Sequence, residues 1–451
     1  MYALREQTQT LAIAIVSTFL ATVAFWWLYL PMAATPPESK PVVLNYMGWG
    51  RESEIRELRA KFDEFERDNP DIKVAITHVT GLYQTKLATM LAGGIGPDVF
   101  QLMDAMLPAL AERRLLLTLD DMVAADHDIN LNEFFPQVVE SCRYQPQWST
   151  TPRLYRLPTS FMTVVMYYNR DLFDAAGVPY PDDNWTWDDF RQTARRLTRR
   201  DANGHVSQFG CMGIGPWLSF LLFMWQNGGE CFDHNGKLVI GKPEYLAQNV
   251  EALQFCADLT FEDKVQPNGS ALQTLPHNPF TSGKVAMMLN GSWEINDLKR
   301  FKEFRWALAP LPRRANRGTL IFPGGAVINS QTKHPQAAWR LLKFFTLDYQ
   351  QQAILRDTPG LPAKRAIAGR WHNFVQDYPP EARIDVAFDA LAFARRQPCG
   401  REISPLLDNE IAKENEKIMS GMISRDGIKQ ALLTIQKNYD ATCPYCSLQT
   451  W

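Results

Sequence analysis

Cys443 and Cys446, in CPYC, have the spelling of a redox dithiol, whose reactive thiolate is stabilised at the start of a helix. Only five residues follow Cys446. A local disulfide or half of a metal site is the expected use of the pair. Seven cysteines leave at least one unpaired within a monomer, and Cys211 and Cys231 read equally as a bridge or as plain buried thiols. The seven histidines (His78, His127, His205, His234, His277, His334 and His372) are dispersed, and no two have the helical spacing of a metal-ligating pair. The sequence contains no GxSxG elbow, no HExxH and no Gly-x-x-x-x-Gly-Lys phosphate loop. Asp120-Asp121, Asp182-Asp183 and Asp188-Asp189 are adjacent pairs, whose side chains point apart or cap helices, whereas glycoside cleavage needs two carboxyls facing each other across one bond. The expectation is a chain without a catalytic constellation, a metal site or a cofactor.

The chain is instead rich in aromatic surface, with 13 Trp, 14 Tyr and 25 Phe. At 46% hydrophobic and 21% charged over 451 residues, it can build a sizeable core in two to three domains. A net charge of −2 provides no general field for phosphate backbones, so nucleic acid is not an expected partner. Val42 to Tyr46 reads as a strand; Ile55, Leu58, Phe62 and Phe65 share one helical face that stops at Asn69-Pro70; Ile72, Val74 and Ile76 alternate as a second strand. Such a β-α-β unit predicts parallel strands with ligands beyond their carboxyl ends, at Gly48-Trp49-Gly50 and after Phe100. Thr163 to Tyr168 is a strand apolar on both faces, Asn169 to Gly177 a short helix, and Thr186 with Asp189 a capping box. Later helices are expected at 188–200, 217–227, 245–261, 335–356, 405–420 and 425–440.

The segment LPTSFMTVVMYYNRDLFDAAGVPYPDDNWTWDDF, Leu157 to Phe190, resembles the mid-chain segment of family 1 extracellular solute-binding proteins, the sugar-capturing subunits of ATP-binding cassette importers. PDVF at Pro97–Phe100 with LLLTLDD at Leu115–Asp121, FTSGKVAMMLNGSWEI at Phe280–Ile295, and FPGGAVINSQTKHPQAAWRLLKFF at Phe322–Phe345 are similar to further segments of that family, in its order. The resemblance implies an α/β, two-lobed periplasmic-binding-protein-like fold with discontinuous lobes joined by a hinge, the chain crossing near Thr163, Pro279 and Phe322. Its first lobe would hold 41–163 and 280–324, its second 164–279 and 325–440, with 441–451 a tail. The implied function is extracytoplasmic capture of a solute, a carbohydrate, delivered by hinge closure to the permease of an importer. The alternatives are a ligand-sensing module that docks on a membrane receptor, and an extracytoplasmic carbohydrate-active enzyme.

For such a ligand, with apolar C–H faces edged by hydroxyls, a pocket needs aromatic platforms and convergent hydrogen-bonding groups. The positions where strand-to-loop junctions coincide with the implied cleft are Trp49, Tyr83, Gln84 and Asp104 in the first lobe, with Ser160 and Phe161 before the crossing strand. Trp217, Trp293, Gly324 and Gly325 complete the expected site. The glycines would let backbone N–H groups approach a hydroxyl, or simply make a tight turn. Many members of the family carry an acidic residue in the segment before YYN, where this chain has Met162; Asp104 or Glu294 would then supply the acceptor.

Leu11 to Leu30 is 20 residues without a charge, enough at 1.5 Å per residue to cross a bilayer core of roughly 30 Å. It ends in Phe25-Trp26-Trp27-Leu28-Tyr29, which suits a membrane interface. The run is longer than the apolar part of a signal peptide, so an uncleaved anchor in the cytoplasmic membrane is expected, with 1–10 cytoplasmic and 31–40 a Pro-rich tether.

Overall fold

The computed structural model describes residues 40–216, 218–234, 236–299, 301–358, 360–373, 378–398 and 406–442, with Thr18 and Thr22. The expected anchor and tether, Trp217, and the tail with Cys443 and Cys446 therefore lie outside the described residues. Among the described residues no helix is long and apolar enough to cross a membrane.

Along the chain the elements that position the site are β1 (Val42–Gly48), α1 (Glu52–Asp68), β2 (Ile72–His78), α2 (Tyr83–Ala92), β3 (Val99–Gln101), β4 (Ser160–Asn169) and α3 (Trp187–Leu197). There follow β5 (Val206–Met212), α4 (Ser219–Gln226), α5 (Pro243–Phe261), β6 (Val285–Gly291), β7 (Trp306–Ala309), β8 (Thr319–Gly324) and β9 (Ala326–Ile328). The chain ends through α6 (Pro335–Phe344), α7 (Asp348–Asp357), β10 (Leu361–Pro362), β11 (Ala394–Arg396), α8 (Ala412–Met419) and α9 (Ile428–Thr442).

Two separate sheets define two lobes. In the first, the order is β9-β3-β1-β2. β1 runs parallel to β2, Leu44 opposite Val74, and to β3, Tyr46 opposite Val99, as the β-α-β reading predicts. The second sheet has the order β11-β8-β4-β6-β5, with β7 and β10 also paired to β4. β4 is the shared spine. Its first half pairs with β8, Phe322 opposite Met162, and its second half with β6, Val165 opposite Asn290. Both faces of this sheet are covered, one by α3, α4, α5, α8 and α9, the other by a cluster including Phe161, Tyr167, Trp306 and Ile384. Strands buried on both faces read as continuous apolar runs, which is why 163–168 showed no alternation.

The local signals around β4 hold. Asn169 caps the helix 170–176 by accepting from the Leu172 N–H at 3.1 Å, and Gly177 ends it at φ +59°. Thr186 and Asp189 exchange the two bonds of a capping box.

The lobe boundaries differ from the expectation. Residues 280–324 do not join the first lobe: β6 and β8 flank β4 in the second sheet, so no crossing occurs near Pro279. Conversely β9 pairs with β3, and Ile328, Ala338, Leu341 and Phe344 pack with Leu44 and Phe62, which brings 326–344 into the first lobe. Phe134 and Val138 also move, packing beside Phe161 on the second sheet. The physical reason is burial: β6 is apolar from Val285 to Leu289, and between β4 and β5 that run is buried at the centre of a sheet. The helix expected over 335–356 is likewise two helices, α6 and α7, broken at 345–347 where the chain leaves the first lobe.

Candidate functional site

Between the two sheets, beyond the carboxyl ends of β1 and β3, lies a cavity of about 290 Å³. The first lobe lines it with Trp49 on the loop after β1, with Glu54, Glu57 and Lys61 on α1, and with Gln101 at the end of β3. The crossing segments contribute Thr159, Ser160, Gly324 and Gly325, and the second lobe adds Met162 on β4 with Gln350 and Thr358 around α7.

Trp49 is braced. Its ring meets Tyr83 edge to face at 4.7 Å, and its backbone N–H donates to Gln101 Oε1 at 2.8 Å. The Tyr83 hydroxyl donates to the Gln101 carbonyl at 2.7 Å, and burial pushes its acidity far down, so it stays a neutral donor. A platform whose rotamer is locked in this way loses little entropy when a ligand stacks on it.

The crossing is built from close backbone approach. A Cβ at Gly324 would sit 1.9 Å from Ser160 Oγ, and Gly325 has φ +128°, with the Leu157 carbonyl 3.0 Å from where a Cβ would stand. The two chain crossings pass here with no room for a side chain. Beneath them Gln351, fully buried, uses all four hydrogen-bonding positions of its carboxamide. It donates to the Thr159 and Phe345 carbonyls at 2.6 and 2.9 Å and accepts from the Ala363 and Lys364 N–H groups at 2.9 and 3.1 Å. One side chain thus ties the crossing at Thr159 and the break after α6 at Phe345 to the second lobe.

Of the ten expected residues, the structure brings Trp49, Ser160, Gly324 and Gly325 to the cavity wall and places Tyr83 directly behind Trp49. Gln84 does not reach it; its amide donates to Met103 Sδ at the surface. Asp104 is not in the cavity wall: its Oδ1 accepts from Arg156, whose side chain is fully buried, at 2.6 Å, while its Oδ2 is buried without a hydrogen-bond partner among the described residues. Phe161 is a core residue with no exposed surface, edge to face with Phe135 and Phe388, because β4 turns alternate residues away from the cavity. Trp293 is half-buried, lying over Gly291 and 5.7 Å from Phe322, whose strand partner Met162 lines the cavity. It stands behind that wall. Glu294 accepts from Asn290 at 3.2 Å, and its carboxyl is held above the usual range by burial and by the charge of Asp297.

Sequence reasoning missed Glu54, Glu57, Lys61, Gln101, Gln350 and Thr358. The signal for α1 was present: of the residues sharing its one face, Ile55 and Leu58 line the cavity, Leu58 also packing against the first-lobe core, while Phe62 and Phe65 are buried. A helix that is apolar toward both a core and a cleft carries one stripe for two environments.

Residues 50–352 match the model of the bacterial extracellular solute-binding protein family. The chain belongs to that family. Among related proteins, this solute-binding protein is 27% identical over 297 residues to the arabinooligosaccharide-binding protein of Bacillus subtilis, covering 62% of this chain and 64% of that one. It is 24% identical over 303 residues to the maltotriose-binding protein of Pyrococcus abyssi, covering 65% and 60%. The matches thus span less than two thirds of these relatives' length. In structure it is similar to an ABC substrate-binding protein from Listeria monocytogenes in complex with cycloalternan, with a TM-score of 0.78, 26% identity, and coverage of 90% of this chain and 100% of that one. The two-lobed α/β fold is therefore that of a solute-binding protein.

Proposed function

We propose that this protein captures a saccharide outside the cytoplasm and presents it, by hinge closure, to the permease of an ATP-binding cassette importer. The observation that carries the reading is the cavity itself, which draws on both lobes and on the crossings between them. A flat aromatic face at Trp49 suits the C–H side of a pyranose or furanose, and Glu54, Glu57, Gln101, Ser160 and Gln350 offer acceptors and donors for its hydroxyls. Trp293, packed on Phe322 beside Met162, backs that wall from behind. A ligand touching both lobes stabilises the closed form by its differential contacts, and closure is then a population shift. The names of the related proteins, which bind arabinooligosaccharides, maltotriose and cycloalternan, support a carbohydrate.

Binding without chemistry is part of the proposal. The carboxylates at the cavity, Glu54 and Glu57, stand three residues apart on the same helix, an arrangement that places both on one side of a ligand and not across a bond. The Leu11–Leu30 run would hold the protein at the membrane beside its permease.

Calorimetric titration with mono- and oligosaccharides, followed by mass spectrometry of the recovered ligand, tests the reading. The expected result is one saturable site and an unmodified ligand. Hydrolysis or transfer products, or no binding across a broad saccharide panel, would overturn it.

A further inference from the structure

α1 is gripped by the second lobe at two points. Midway along it, Lys61 donates to Gln350 Oε1 at 3.2 Å, and Gln350 donates to Glu64 at 2.9 Å. At its start, Arg51 reaches across to the carboxylate of Asp297, in the short helix Ile295–Leu298 that follows β6. Arg51 is also bound within its own lobe, its Nε donating to Glu54 at 2.9 Å and its backbone N–H to the same carboxylate at 3.0 Å. Glu54 lines the cavity, so the chain Glu54, Arg51, Asp297 joins the ligand wall of one lobe directly to the other.

The charges opposite Arg51 explain why the contact favours closure. Glu294 and Asp297 lie one helical turn apart on the second lobe, and their mutual repulsion is part of what raises the Glu294 carboxyl, while Arg51 acts in the opposite sense. Separating the lobes leaves two neighbouring carboxylates without their cation; bringing them together supplies it.

We infer that the Arg51–Asp297 bridge is a latch that draws the lobes together in the absence of ligand and thereby sets ligand affinity through the closed population. This rests on the hinge-closure reading proposed above. The bridge is solvent-exposed, with 54% of the Arg51 and 39% of the Asp297 side chain accessible. Its effect on the closed-to-open ratio is accordingly modest, about two- to fivefold, and screened by salt. A latch of that size tunes affinity without locking the cleft against entry.

Hydrogen exchange on the full chain without any ligand tests the latch separately from the saccharide reading. Arg51→Gln and Asp297→Asn should each speed exchange in segments 47–61 and 290–299 by about two- to fivefold, with α5 unchanged. In the Arg51→Gln background, Asp297→Asn should add nothing, because the partner is already gone. For any saccharide found to bind, both single variants should weaken affinity by the same factor, and the loss should shrink in 1 M salt. Unchanged exchange in either single variant, equal loosening by Asp297→Asn with and without Arg51, or faster exchange throughout the chain would each overturn the latch. Failure of every saccharide to bind would leave the exchange result standing and count against the proposed ligand instead.

Discussion

Trp49 and Asp104 show how residue type alone misleads about role. Both sit just beyond strands that point at the cleft, yet one faces the cavity and the other is neutralised by a buried arginine. Trp49→Ala should weaken saccharide binding by about 2 kcal/mol, roughly thirtyfold, as expected for a braced aromatic anchor, with little change in a denaturant melt. Calorimetry beside the melt separates the two effects. Asp104→Asn should do the reverse, lowering stability by about 3 kcal/mol because Arg156 is left buried without its counter-ion, while the affinity of the folded fraction stays the same. No residue pattern distinguishes these roles, since Arg156 lies 52 positions from Asp104.

The elements that matter most are the crossings. β8 and β9 are separated by Gly325 alone, yet they belong to different sheets, and the same junction brings Gly324 against Ser160 at the start of β4. Gly324→Ala should lower stability by about 1 kcal/mol, since its methyl group displaces the Ser160 hydroxyl and presses on the Ser160 Cβ and carbonyl, 3.2 and 3.3 Å from the new Cβ. Thermal or urea unfolding reads the loss. Gln351→Leu should act similarly, as it leaves the Ala363 and Lys364 N–H groups without their acceptor. Its unfolding midpoint should fall and ligand affinity should fall with it, because Thr159 and Phe345 no longer share one anchor. Helix and strand identities here were largely legible, from the capping box at Thr186 to the apolar run of β4, because those signals are local.

At the scale of the whole molecule, closure and anchoring are the quantities to measure. If the lobes close on ligand, small-angle scattering should show a smaller radius of gyration with saturating saccharide than without. If Leu11–Leu30 anchors the chain, native protein should require detergent for extraction and its intact mass should include that run. A mature chain beginning near Ala34 and released without detergent would show a cleaved signal instead.

From the sequence alone, the β-α-β geometry and the capped helices are legible because periodicity and turn chemistry act over a few residues, whereas the two-lobed binding family and a cleft near Trp49 and Gly324 are what the resemblance implied. The tertiary structure alone decided which lobe owns 280–324 and 326–344, because pairing of β6 with β4 and of β9 with β3 joins residues about 120 and about 225 positions apart. It also decided that Asp104 pairs with the buried Arg156, that Phe161 lies in the core and that α1 supplies the cavity's carboxylates and lysine. Burial and ion pairing between distant segments carry no local signature, so these assignments exist only once the chain has folded.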